Sequence, residues 1–321
     1  MPRLPPHLLH RAHAHSPLLP LLLPPCRDAP SALSELRWLR AHAATTSQPL
    51  RPLCERRRRG EPLQYILGTQ PFGDLEMLCR RGVLIPRDRR PNPPPRRPPR
   101  HHQPPTTRPL RILDLCTGTG CIPLLLHSLL PASTTTLAID ISPRAIHLAR
   151  RNLRHNVGRG ALPASAAQNV TFQRGDVLDV PKLLDAVRAH FGPGEGGGRG
   201  VVDVVVSNPP YISARGFDVE TAASVRRYEP RLALVPGGEG GDGFYPVVGR
   251  VAGELGAGVV VVEVGGWGQA GRVRRRWREE GMGGWEGVEV WKDYAGRGRG
   301  VVAWRGVGWE WMGGGCGGEV N

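Results

Sequence analysis

Lysine is almost missing from this sequence: Lys182 and Lys292 are the only two among 43 basic residues, and arginine supplies the rest. The formal charge of +15 over 321 residues would suit a polyanionic partner. A chain rich in Arg, Gly, Pro and Ala together also carries such an excess through compositional bias. The excess is concentrated in the N-terminal third, so RNA near the ribosome enters only as a weak contact of that basic region. The six cysteines, Cys26, Cys54, Cys79, Cys116, Cys121 and Cys316, form no Cys-x-x-Cys pair. This argues against a zinc site and a disulfide scaffold, and no metal is expected. No apolar run approaches the roughly 18 residues of a membrane span; Leu18–Leu23 is short and interrupted by Pro20. Acid is absent from the first 27 residues, which hold Arg3, Arg11, Arg27 and four histidines. That pattern resembles an organelle transit peptide and points to the mitochondrion.

Glycine (43) and proline (33) are abundant, so parts of the chain should be poorly ordered. Residues 1–30 read as a disordered or cleaved leader. Residues 31–87 read as a small N-terminal helical region. Its helix is expected over Ser31–Ala44, with Leu33, Leu36, Trp38 and Leu39 as apolar positions, and Arg56–Arg59 as a solvated face. Residues 88–109, mostly Pro, Arg, His and Thr, read as a linker or insertion. A Gly-rich tail occupies 306–321.

Residues 110–305 alternate strands with helices. Short apolar runs fall at Leu110–Leu115, Leu137–Ile141, Val170–Phe172, Val201–Val206 (apolar except Asp203), Ala257–Val264, Val288–Trp291 and Gly300–Trp304. The alternation predicts an α/β domain with a parallel sheet covered on both faces.

Asp114-Leu115-Cys116-Thr117-Gly118-Thr119-Gly120 lies between a strand and a helix, the context that gives such a turn meaning. Glycine permits positive φ and close approach of a ligand to the backbone. The next strand ends at Asp140, 20 residues after Gly120, where an acid can accept from two ribose hydroxyls. Asp114 can hold the turn or meet the amino-acid end of a cofactor. Asp176 is placed for an adenine edge. A dinucleotide site would want Gly-x-Gly-x-x-Gly, and Pro123 stands where the third glycine belongs. The spacing favours a nucleoside cofactor without a pyrophosphate.

The fourth apolar run passes into Asn208-Pro209-Pro210-Tyr211. An amide or amine nitrogen awaiting methylation has two hydrogens to fix and a lone pair to expose. The Asn208 side-chain oxygen and the Pro209 carbonyl can each accept one hydrogen. Pro209 and Pro210 stiffen the loop, and Tyr211 offers a flat face to a planar group. The bland alternative is a turn at a strand end.

Taken together, these segments resemble the HemK/PrmC-type N5-glutamine methyltransferases that modify peptide-chain release factors. The resemblance runs over about residues 61–304 and also uses Gln64–Gly68, Val83–Arg87, Tyr228-Glu229-Pro230, Leu232–Leu234, Glu263–Gly265 and Asp293–Arg297. It implies a seven-stranded Rossmann-like methyltransferase domain behind a small N-terminal helical segment that helps dock the substrate. It implies S-adenosyl-L-methionine as cofactor, with Cys116–Gly120, Asp140 and Asp176 toward it, and a Gly-Gly-Gln release factor as protein substrate, with Asn208–Tyr211 toward the glutamine amide. Three departures stand out: Cys116 in place of a glycine, Asp88-Arg89-Arg90-Pro91 where the family opens a helix, and one extra residue before Gln269. The rival expectations are an adenine-N6 nucleic-acid methyltransferase, which shares Asn-Pro-Pro-Tyr, and a non-catalytic paralogue that binds release factor or RNA.

Overall fold

A computed structural model describes residues 5–87 and 108–309, apart from 132, 195–199, 237–239, 280–281, 294 and 307. Nearly all of the 88–109 linker and of the 306–321 tail therefore lies outside the described residues.

The chain opens with five helices, α1 (Pro6–His15), α2 (Leu19–Cys26), α3 (Ala29–Thr46), α4 (Leu50–Arg58) and α5 (Leu63–Leu67), followed by a hairpin of β1 (Thr69–Phe72) and β2 (Leu75–Leu78). Of the expectation of a disordered or cleaved leader, these helices correct the disorder. Ala12, Leu19, Leu22 and Leu23 share one buried cluster with Leu36, Leu39 and Leu53. Pro20 falls in the first turn of α2, where its missing N–H would have no partner anyway. Helix α3 starts at an Asp28 cap that accepts from the Ser31 N–H at 2.7 Å. Of its four expected apolar positions Leu36 and Leu39 are buried, while Trp38 is exposed. The solvated face expected at Arg56–Arg59 holds for the exposed Arg58 and Arg59 and is corrected for Arg56 and Arg57. Arg57 forks onto Glu35 at 2.7 and 2.9 Å, and Arg56 onto Glu61 at 3.0 and 2.8 Å.

The second unit runs β3 (Leu110–Leu115), α6 (Cys121–Leu129), β4 (Thr134–Asp140), α7 (Pro143–Gly158), α8 (Ala166–Asn169), β5 (Val170–Arg174), α9 (Val180–Phe191), β6 (Val204–Ser207), α10 (Ala214–Val219), α11 (Ala223–Tyr228), α12 (Phe244–Glu254), β7 (Val259–Glu263), α13 (Trp267–Glu279), β8 (Gly287–Lys292) and β9 (Gly298–Trp304). Its seven strands lie in the order β5-β4-β3-β6-β7-β9-β8, the Rossmann-like arrangement expected. Five strands are parallel, but β9 runs antiparallel to both β7 and β8, so the all-parallel expectation is corrected. The β8–β9 connection is a short turn that Asp293 closes by accepting from the Ala295 and Arg297 N–H groups at 2.9 and 3.0 Å. A connection that short can join only antiparallel strands.

Asp203, the one charge in its apolar run, explains why β6 starts late. Its carboxylate accepts from the Arg111 N–H at 2.7 Å and from Arg108 at 2.6 Å. Strand order reverses at β3, which pairs with β4 on one side and β6 on the other. Open α/β sheets bind ligands beyond the carboxyl ends of strands at such a point. The outer edge of β2 is met by side chains from α7. Asn152 and Asn156 accept from the Leu78 and Glu76 N–H groups at 2.6 and 3.0 Å, and Asn156 donates to the Glu76 carbonyl at 3.0 Å.

Candidate active site

A cavity of about 280 Å³ opens beyond the carboxyl ends of β3, β4, β5 and β6. Nine of the twelve residues singled out from the sequence line it: Cys116, Thr117, Gly118, Thr119, Asp140, Asp176, Asn208, Pro210 and Tyr211. Asp114, Gly120 and Pro209 are not in the wall. Among the described residues no helix is long and apolar enough to cross a membrane, and no cluster of metal-ligating side chains occurs.

The turn after β3 divides its labour. Gly118 has φ of +56° and open space where a Cβ would stand, so the backbone there faces the cavity bare. Gly120 has φ of +78°, and a Cβ would meet the Phe172 ring at 2.9 Å; this glycine lets α6 pack on the sheet. Cys116 takes φ of +63° without being glycine. Burial is the main force pushing its thiol well above the usual range, helped by the Asp140 and Asp114 charges. The thiol therefore stays protonated and is no nucleophile.

Asp140 closes the turn from below: Oδ2 accepts from the Gly118 N–H at 2.8 Å and Oδ1 from the Ser142 N–H at 2.9 Å. Burial raises its carboxyl, and those two donors oppose the rise. Asp114 is fully buried beneath, and among the described residues neither oxygen has a hydrogen-bond partner within bonding geometry. Burial pushes it up to about 8, with the nearby Thr117 hydroxyl opposing and the Asp140 charge adding.

The loop after β6 is anchored on both sides. Ser207 donates to the Leu115 carbonyl at 2.8 Å, and Ile212 N–H to the Leu234 carbonyl at 2.8 Å. Two successive prolines bring no N–H of their own to the intervening backbone. Among the described residues, neither the Asn208 side chain nor the Pro209 carbonyl is in a hydrogen bond. Tyr211 donates to Glu263 Oε1 at 3.0 Å.

The roof comes from two segments far apart in sequence, 82–87 and 230–236. Glu229 fastens them. It accepts from the Ile85 N–H at 3.2 Å and from Arg87 at 3.0 Å, and its side chain is 4% exposed. Tyr65 donates to the Val83 carbonyl at 2.7 Å, and Tyr228 to the Arg59 carbonyl at 3.2 Å. The roof is thereby tied to the N-terminal helices.

No protein-family model matches the chain. Over 240 residues it is 37% identical to the mitochondrial MRF1 N(5)-glutamine methyltransferase MTQ1 of Saccharomyces cerevisiae, covering 73% of this chain and 68% of that one. Over 251 residues it is 32% identical to the release factor glutamine methyltransferase of Corynebacterium glutamicum, covering 78% of each. The chain belongs to the release-factor glutamine methyltransferase family. The crystal structure of TrmN from Thermus thermophilus aligns at a TM-score of 0.36 with 19% identity, over 62% of this chain and 45% of that one.

Several wall residues of this methyltransferase carry no local signal of function. Ile141, Ser142, Val177 and Leu178 flank the two predicted acids, and Phe244 joins them in the wall, as do Pro230 and Leu232, which the resemblance marks only as parts of motifs. The position of each at or just beyond the end of a predicted strand or motif is the clue that could have found the first four. Glu263 ends β7, and the resemblance had marked it only as part of a motif.

Proposed function

We propose that this chain methylates N5 of the glutamine in a Gly-Gly-Gln release-factor motif, with S-adenosyl-L-methionine as donor, in the mitochondrion. The observation that carries the proposal is a pair of acceptors unengaged among the described residues, the Asn208 side-chain oxygen and the Pro209 carbonyl, in a loop whose Asn208, Pro210 and Tyr211 line the same cavity as the glycine turn. A glutamine amide brings two N–H donors, and fixing both leaves the nitrogen lone pair directed away from the loop. Low entropy in a double-proline loop makes this preorganised rather than induced.

The cofactor fits on the chain's own features. Gly118 leaves the turn open where a side chain would block it. Each Asp140 oxygen accepts one backbone N–H and keeps acceptor capacity for a ribose hydroxyl. Buried Asp114, whose two oxygens have no hydrogen-bond partner among the described residues, suits a position behind an ammonium group. Asp176, which lines the same cavity as Ile141 and Leu178, is the acid we assign to the adenine. When bound, S-adenosylmethionine supplies an electrophilic methyl on a positively charged sulfur. The residues' task is then alignment and exclusion of water, and the Glu229-fastened roof serves the second.

The mitochondrial assignment rests on the name of the yeast relative and on the basic N-terminal stretch. A purified-protein assay with a radiolabelled methyl donor tests the whole. Label should enter a Gly-Gly-Gln release factor and not its Gly-Gly-Ala variant. Label in adenine of RNA or DNA instead would overturn the reading in favour of a nucleic-acid enzyme.

A further inference from the structure

Gln269 lies in the first turn of α13, buried and outside the cavity wall. The extra residue ahead of it does not stop its side chain from reaching four groups. Its Oε1 accepts from the Gly265 N–H at 2.7 Å. Its Nε2 faces three oxygens: Asp242 Oδ1 at 2.8 Å, the Gly241 carbonyl at 3.1 Å and the Tyr211 carbonyl at 3.2 Å. An amide has two hydrogens, so three acceptors share them, and the amide orientation is unambiguous. Asp242 is itself fixed by a two-pronged Arg272 at 2.6 and 2.9 Å.

The geometry around Tyr211 is equally tight. A Cβ on Gly241 would stand 2.4 Å from the Tyr211 carbonyl oxygen, and one on Gly265 would stand 3.4 Å from the Tyr211 ring. Tyr211 is held at its hydroxyl by Glu263 and at its carbonyl by Gln269. Both grips come from one seven-residue stretch. Neither is required to make β7 or α13, since strand pairing and helix bonds are backbone matters.

We infer that Gln269 is a positioning residue of the methyl transfer, which sets the Asn208–Tyr211 loop through the Tyr211 carbonyl. This rests on the proposal that the loop holds the target amide. A buried amide with every hydrogen-bonding group engaged gives one loop geometry, and small displacements of reacting groups cost heavily in rate.

The test uses the full chain with Q269A and the near-isosteric Q269E, whose carboxylate would face three oxygens at neutral pH. Three quantities are measured: S-adenosylmethionine affinity by calorimetry, kcat and KM with a Gly-Gly-Gln release factor, and the crystal structure of each variant. The expected result is cofactor affinity within about twofold of the parent and kcat lower by about 10- to 100-fold, with the Tyr211 carbonyl displaced. Parental kcat in Q269A, or equal losses in cofactor affinity and kcat, would overturn the inference. If Q269A does not fold, Q269E carries the test. If the unmodified chain transfers no methyl to any Gly-Gly-Gln protein, the proposed function fails instead, and an undisplaced Tyr211 in the variant crystals would then refute the positioning role separately.

Discussion

Replacing Glu229 with alanine should uncouple the cofactor roof from the rest of the protein. The Ile85 N–H would lose its acceptor in a buried setting, which costs about 1–3 kcal/mol. Arg87 is 32% exposed, so its lost ion pair adds at most about 1 kcal/mol. A total near 2–3 kcal/mol, expressed at roof closure, would weaken cofactor binding by roughly 30- to 150-fold. Glu229→Gln keeps an oxygen for Ile85 and loses only the charge, so its loss should stay within about fivefold. Calorimetric titration with S-adenosylmethionine, beside melting curves without it, reads both. The reasoning is refuted if E229A binds within twofold of the parent, or if E229Q is as weak as E229A.

Three further outcomes are expected. Asn208→Ala should leave cofactor affinity nearly unchanged and lower kcat by roughly 10²-fold or more, the scale of one preorganised polar contact; equal losses in both would mark the residue as structural. Gly118→Ala should weaken cofactor binding because its methyl enters open cavity, whereas Gly120→Ala should mainly lower Tm, its methyl meeting Phe172 at about 1–3 kcal/mol of overpacking; the reverse pattern would exchange the two roles. Asp114 is held up to about 8 by burial, against roughly 3.9 in an unfolded chain. Between those values the unfolded state has shed the proton that the native state keeps, so stability falls as pH rises. Asp140 contributes with the same sign. Melting of the cofactor-free protein from pH 5 to 8 should show a shallower decline for Asp114→Asn, and coincident slopes would refute this.

Legibility followed the range of the interactions. The strands from Leu110 to Val206, the glycine turn and the Asn208 loop are local patterns, and each was readable within a dozen residues. Asp140 was found because its distance from Gly120 reflects one helix and one strand. What escaped depends on partners elsewhere. Helices α1 and α2 looked like a proline-broken leader because nothing nearby shows that Leu19, Leu22 and Leu23 meet Leu36 and Leu53. Arg56 and Arg57 looked solvated because Glu35 and Glu61 are invisible as partners until the helices pack. The direction of β9 could not be read from Val301–Ala303, since an apolar run is the same in either sense. The Glu229 fastening spans more than 140 residues, and only its two ends were visible, as unexplained motifs.

The asparagines of α7 make one more consequence visible. A two-stranded ribbon normally carries a raw margin that invites another polypeptide to zip onto it. In β2 the margin at Glu76 and Leu78 is occupied by carboxamide groups of Asn152 and Asn156, which mimic a peptide strand without being one. The helix thus stands in for a missing third strand, and the Asn152 amide, which also donates to the Thr119 carbonyl at 2.9 Å, binds that sealed seam to the cofactor turn. Cutting either asparagine back to alanine would lay the margin open, so the first symptom would be self-association rather than lost catalysis.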